Sequence, residues 1–213
     1  MLSSLASLGP EELADIHGDA DTIYEIAGED PYLSPRLRVL AERVLSASIG
    51  QVMGLPVKGR CGAGHAGSWI EHRRGLGPAQ ARMGIAHEIA ELWYCTYRRI
   101  ESPMLEPLSD GLAAALVATY QRVRLAVRRL GLDIPLVARW LIAPQLVVLI
   151  RVAQVLELPL LLLPRCGEPV VMGAPFVFPE PYELLASPWM RLRWLQRVDL
   201  TEEAGCVGLI VRG

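Results

Sequence analysis

The sequence predicts an α+β fold, helical through most of its length and strand-bearing toward its end. Three observations carry that prediction. Apolar residues recur at helical spacing in long stretches up to about Leu156. A Gly-rich connection, Gly54 to Gly67, breaks the pattern ahead of a short run, Ser68 to Arg73, that holds Trp69 and Ile70. After Pro159, short apolar runs alternate with Gly and Pro, as strands and turns do. A chain of 213 residues is long enough for one sizeable domain, or a domain with a smaller appendage.

Residues 1–30 are acidic and helix-prone, and Pro10-Glu11-Glu12 suits a helix start because proline and carboxylates both favour the first turn. Ser34 as cap and Pro35 in the first turn open a second helix, expected to run through about Val52 with Leu37, Leu40, Ala41, Val44 and Leu45 on its apolar face. The Gly-rich connection and the strand Ser68–Arg73 follow. A turn from Gly75 to Pro78 then leads into a helix expected to reach about Arg99. Glu101 to Pro107 reads as a loop with two prolines. One long helix is expected from about Leu108 to Leu130, closed by Gly131, and its Ala113-Ala114-Ala115 run permits close approach of a neighbour. Two more helices, about Ile134–Leu141 and Pro144–Leu156, flank a tight turn at Ile142-Ala143. Leu160–Leu163, Val170–Met172, Val177–Phe178 and Val207–Val211 read as strands.

Composition excludes several classes. The hydrophobic content of 52% and mean hydropathy of +0.29 prompt a search for a membrane span. The best stretch, Ile134 to Leu163, is interrupted by Pro144 and carries Arg139, Arg151 and Glu157, so no span is expected. Met1 to Gly18 lacks a basic region and turns acidic at Glu11-Glu12, unlike a secretory signal. A net charge of −2 with scattered basic residues gives no reason to expect direct nucleic-acid binding. Cys61, Cys95, Cys166 and Cys206 are far apart in sequence and form no CxxC pair. They read as reduced thiols in a cytoplasmic protein, not as a zinc finger or a disulfide framework.

The chemistry concentrates in Ile85-Ala86-His87-Glu88-Ile89-Ala90-Glu91-Leu92-Trp93. His87 and Glu91, four residues apart, project from one helix face, and Glu88 lies on the adjacent one. This is the layout of the metallopeptidase helix, whose first and fifth positions bind metal and whose second is the general base, except that Glu91 stands where the second histidine belongs. The same residues also fit a buried histidine hydrogen-bonded to Glu91 or Glu106. Buried carboxylates need a partner in either case. His65 and His72 are weaker candidates for contacts to a reacting group.

With this order of elements, the chain resembles the ImmA/IrrE family of metallopeptidases. The likeness rests on the strand, turn and helix from Ser68 to Trp93, with Met83-Gly84-Ile85-Ala86-His87-Glu88 at its centre. It rests also on Glu106-Pro107-Leu108-Ser109-Asp110-Gly111-Leu112-Ala113-Ala114-Ala115-Leu116-Val117 and on the helical stretch Asp133 to Leu158. The second segment follows the family's Glu-x-x-Ala-Asn-x-Phe-Ala-Ala-x-Leu-Leu pattern, with Ser, Asp, Leu and Val at four of its positions. The resemblance spans roughly residues 30–165. It implies a helical, zincin-like metallopeptidase domain over residues 31–165, with a short strand hairpin before the active-site helix and a small helix-turn-helix-like subdomain at 132–158. An N-terminal helical extension (1–30) and a C-terminal strand-rich extension (166–213) would flank it.

The implied site has His87, Glu91 and Glu106 as metal ligands, Asp110 as a rival to Glu106, and Glu88 as general base. Pro107 disfavours helical geometry at Glu106 and places it at or before the helix start. Two carboxylates and one imidazole make a harder donor set than two imidazoles and one carboxylate, which points to Zn or Mn as the divalent ion. The implied partner is a protein substrate, a helix-turn-helix repressor. The alternative is a degenerate, metal-free relative that binds such a partner without cutting it. Ile134–Leu156 has the outline of a helix-turn-helix, but its second helix offers only Gln145 and Arg151 among Leu, Val and Ile, so it reads as core packing.

Overall fold

The computed structural model describes residues 8–65, 67–100, 103–163, 169–172, 195–200 and 206–211. The fold is α+β. Helix α1, Pro10–Ala27, carries Pro10 and two acidic residues in its first turn, where a missing N–H costs nothing and the helix dipole favours negative charge. Gly28, at φ 62°, closes it in the left-handed conformation that glycine takes without strain. Its inner face buries Ile16, Ala20, Ile23, Tyr24 and Ala27.

Helix α2, Leu37–Leu45, buries the five apolar residues whose spacing predicts it, but it ends well short of Val52. Arg36, not Ser34, is its N-cap residue, and no side chain caps it. Ser46 turns the chain at φ 49°, and Ala47–Val52 continues as strand β1. The Gly-rich connection contains strand β2, Gly59–Gly64, and the expected strand is β3, Gly67–Arg73. β3 is central, with β1 parallel on one side (Ile49 opposite Ile70) and β2 antiparallel on the other (Cys61 opposite Ile70). A Cβ at Gly62 would lie 2.7 Å from the Trp69 ring, so the aromatic side chain needs a glycine opposite it.

Helix α3, Pro78–Trp93, winds on as one π-helical turn, Tyr94–Arg98, before Arg99 turns the chain at φ 53°. The next helix, α4, spans Leu105–Val117. Glu106 and Pro107 therefore lie inside its first turn, contrary to the expectation for Glu106. Proline is tolerated there because first-turn N–H groups have no partner within the helix. The single helix expected to reach Leu130 is in fact two. Thr119 stops α4 and caps α5, Tyr120–Leu130, accepting from the Arg122 N–H at 3.3 Å. Small residues let α4 pack closely, and a Cβ at Gly111 would meet Ile16 Cδ1 at 2.6 Å.

Helices α6, Ile134–Leu141, and α7, Gln145–Leu156, lie where expected, bent by 103° at their junction. No single described helix is long and apolar enough to cross a membrane. α7 is almost wholly buried, which agrees with reading this pair as core packing. Strand β4, Leu160–Leu163, pairs antiparallel with β5, Val170–Met172, and with β7, Cys206–Val211. β6, Leu195–Leu200, pairs on the far side of β7. This sheet thus joins strands from both sides of residue 165. The strand expected at Val177–Phe178, and Cys166, lie outside the described residues. One hydrophobic cluster runs from Leu8 to Ile210 and takes in every helix. Each fully buried Leu or Ile in it contributes roughly 1.5–3 kcal/mol.

Candidate metal centre

The site forms where α3 packs against α4 and against β2. His87 and Glu88 sit near the middle of α3, where the apolar Ala86, Ile89 and Ala90 anchor that helix in the core. Glu106 and Asp110 stand one turn apart on α4 and project toward the same side. β2 forms the opposite wall, with Gly59 so close that a Cβ there would lie 2.8 Å from Glu88 Oε1. The cleft between them has a volume of about 670 Å³ and is lined by His87, Glu88, Glu91, Glu106, Asp110 and Cys61 among others.

Two groups of possible ligands face this cleft. His87, Glu106 and Asp110 bring ligand atoms within 4.8 Å of one another, and so, separately, do Cys61, Glu88 and Glu91. Of the residues named from sequence, His87, Glu106 and the rival Asp110 come together, while Glu91 joins Glu88 in the other group. His65 is exposed, His72 is buried on β3, and neither lines the cleft. Cys61 escaped the sequence reading. It lies in a strand of glycines with no alternation to reveal it, and its nearness to Glu88 exists only once β2 packs on α3.

The first group is wired through the histidine. His87 Nδ1 is 3.1 Å from Asp110 Oδ1, and Nε2 is 3.7 Å from Glu106 Oε2. Burial works against a charged His87 imidazole, but the Asp110 hydrogen bond and the charges of Asp110, Glu106 and Glu88 hold its pKa above the usual histidine value. Burial would also raise the Asp110 carboxyl, yet the hydrogen bond and charge of His87 keep it below the ordinary aspartate range. Burial pushes Glu88 upward, reinforced by Glu91 and Glu106 and opposed by the Cys61 hydrogen bond and the His87 charge. The Cys61 thiol is raised as well, by burial first and then by Glu91 and Glu88.

These residues fit a divalent cation. An Nε2–Oε2 separation of 3.7 Å is too long for a hydrogen bond. It is close to the span of two ligand atoms that each lie about 2.1 Å from one shared ion. A carboxylate bonded to the other ring nitrogen is the usual device for fixing a metal-binding imidazole in one tautomer. With Asp110 on Nδ1, the His87 imidazole and the Glu106 carboxylate are left facing each other, and both are donors that Zn or Mn accepts.

No family model matches the chain, and no curated protein matches it in sequence. Among solved structures, the chain is similar to a Mycobacterium tuberculosis transcriptional regulator, with a TM-score of 0.65 and 15% identity over 92% of this chain and 87% of that one. At that identity, the likeness is one of fold.

Proposed function

We propose that the chain is a metal-dependent endopeptidase of the ImmA/IrrE type, acting on a helix-turn-helix repressor in a stress or mobile-element response. One observation supports this reading above the rest. A histidine and two carboxylates from two helices converge in an open cleft, and a buried glutamate next to them has a raised pKa. His87 and Glu106 would hold the ion, with Asp110 behind the imidazole. Loss of metal in Glu91→Gln would make Glu91 a further ligand, and weakened retention in Asp110→Asn would reflect loss of the group that orients the imidazole. A divalent cation here would supply Lewis acidity toward water and a peptide carbonyl.

The chain's own contribution is proton transfer. A buried carboxylate whose pKa is raised holds a proton more readily than a solvated one, so Glu88 would take the proton of the attacking water and deliver it to the departing amine nitrogen. Glu88→Gln is nearly isosteric and removes only the acceptor, so it should retain metal and partner while turnover falls at least about a hundredfold. The assay is co-expression with a helix-turn-helix repressor encoded beside this gene, scored for cleavage, together with elemental analysis of purified protein. Metal near one ion per chain that disappears in His87→Ala supports the site, whereas protein that binds no ion and gains no thermal stability from one refutes it.

A second reading, a binding regulator that does not cut, is favoured by Glu91 in the histidine position and by the Cys61 thiol bonded to Glu88. The structural neighbour is a transcriptional regulator, which agrees with a role in transcription under either reading. Derepression by both wild type and Glu88→Gln, without cleavage by either, would establish the second.

A further inference from the structure

A separate charged site lies where α1, the α4–α5 junction and α7 meet, and it does not depend on the metal centre. Arg151 of α7 is only 2% exposed. Its Nε donates to the Ala118 carbonyl at 3.1 Å, and its Nη1 donates to Gln154 Oε1 at 2.9 Å and meets His17 Nε2 at 2.7 Å. All three partners are neutral acceptors. Burial, followed by the Arg151 charge, lowers the His17 pKa to about 4, so near neutral pH the imidazole adds no charge of its own. Among the described residues, Arg151 forms no ion pair with a carboxylate, and its Nη2 has no hydrogen-bond partner. A buried cation is ordinarily neutralised by a paired anion, because desolvation otherwise opposes folding.

Arg151 is also the floor of a cavity of about 210 Å³, shared with His17, Asp21, Thr119, Tyr120 and Gln121. Gln121 Oε1 is buried there without a partner, and the amide can turn its NH₂ to the same position. Tyr120 also lines the cavity, and its hydroxyl accepts from Arg124 Nη1 at 2.8 Å. Among the described lining residues the exposed Asp21 is the one carboxylate. A buried guanidinium with free N–H donors and no carboxylate paired to it, beside a space a few heavy atoms across, forms a receptor for a planar or tetrahedral oxyanion.

We propose that this cavity binds a small oxyanion, a carboxylate or a phosphate, against the Arg151 guanidinium. The test titrates the full chain with sodium acetate and, separately, sodium phosphate against sodium chloride at equal ionic strength, using calorimetry, thermal melting and the His17 ring proton resonances. Expected are saturable binding of one anion per chain, a rise in Tm, and movement of the His17 resonances. Saturation by acetate alone marks a carboxylate site, and saturation by phosphate alone a phosphate site. Arg151→Met should abolish all three responses, and Asp21→Asn, at the exposed edge, should tighten binding several-fold. Arg151→Met also removes hydrogen bonds to Ala118, His17 and Gln154 that serve the fold, so the Asp21→Asn arm stands on its own: unchanged affinity there overturns the proposal. So do the absence of saturable binding to wild type, its survival in Arg151→Met, and binding that occurs only in Asp21→Asn, which would make Asp21 itself the cavity's anion.

Discussion

At the scale of single residues, the cleft depends on one missing methyl group. Gly59 lets β2 approach α3 closely enough for Glu88 to lie in the cleft wall, since an added Cβ would stand 2.8 Å from Oε1 and 3.0 Å from Cγ. Glu88 is 5% exposed, and its carboxylate lies between β2 and the cleft. If the chain is the metallopeptidase proposed above, Gly59→Ala should displace Glu88, keeping fold and metal while turnover falls by about a hundredfold. Unchanged cleavage with unchanged metal content would show that Glu88 accommodates the methyl group without leaving its working position. His17 sets the pH behaviour at the other site. Its folded pKa, about 4, lies below the ordinary 6.5 because burial and Arg151 both disfavour the imidazolium. As pH falls below about 6.5, the unfolded chain takes up the proton first, so stability should decline down to about pH 4 and then level off. Denaturant midpoints measured across that range should show the slope, and His17→Gln should flatten it.

At the scale of elements, the break between α4 and α5 is the junction to probe. Thr119 accepts from the Arg122 N–H at 3.3 Å, and its hydroxyl donates to the Pro31 carbonyl at 2.6 Å. Arg122 Nη1 donates to the Val117 carbonyl at 2.9 Å, so the end of one helix and the start of the next are held by the same few groups. Thr119→Ala should cost about 1–2 kcal/mol, and Thr119→Ser much less, because serine keeps the hydroxyl. Equal losses in urea midpoint for the two variants would show that the methyl group, not the cap, matters.

At the scale of the whole molecule, the C-terminal sheet is packed onto the helical body through α7. A Cβ at Gly208 of β7 would collide with Leu149 Cδ2, and Leu149 is wholly buried. Gly208→Ala should cost about 1–3 kcal/mol as overpacking, which in a chain of this size lowers Tm by roughly 2–4 °C per kcal/mol. A melting temperature within a degree of wild type would mean that the sheet shifts freely on α7.

The sequence alone determined the elements whose signals are local. Proline and glycine bound α1, α3, α6 and α7, and helical spacing marks the faces they bury. It also placed His87 and Glu88 on one helix, because spacing along a helix is written in the chain itself, while Glu106 and Asp110 came in only as what the family resemblance implies. It missed β1, since Ala47–Val52 continues an apolar helical run, and it did not locate β2, the second arm of the hairpin that the resemblance implies, since Gly59–Gly64 carries almost no side chains to alternate. Both become strands by pairing with β3, a contact made across the chain. The two ligand groups were likewise decided by tertiary structure. Helical periodicity makes His87 and Glu91 neighbours, but the packing of α4 brings Asp110 to His87, and the packing of β2 brings Cys61 to Glu88 and Glu91. Which carboxylate meets the imidazole depends on how the helices and the sheet edge dock, and no local pattern encodes that docking.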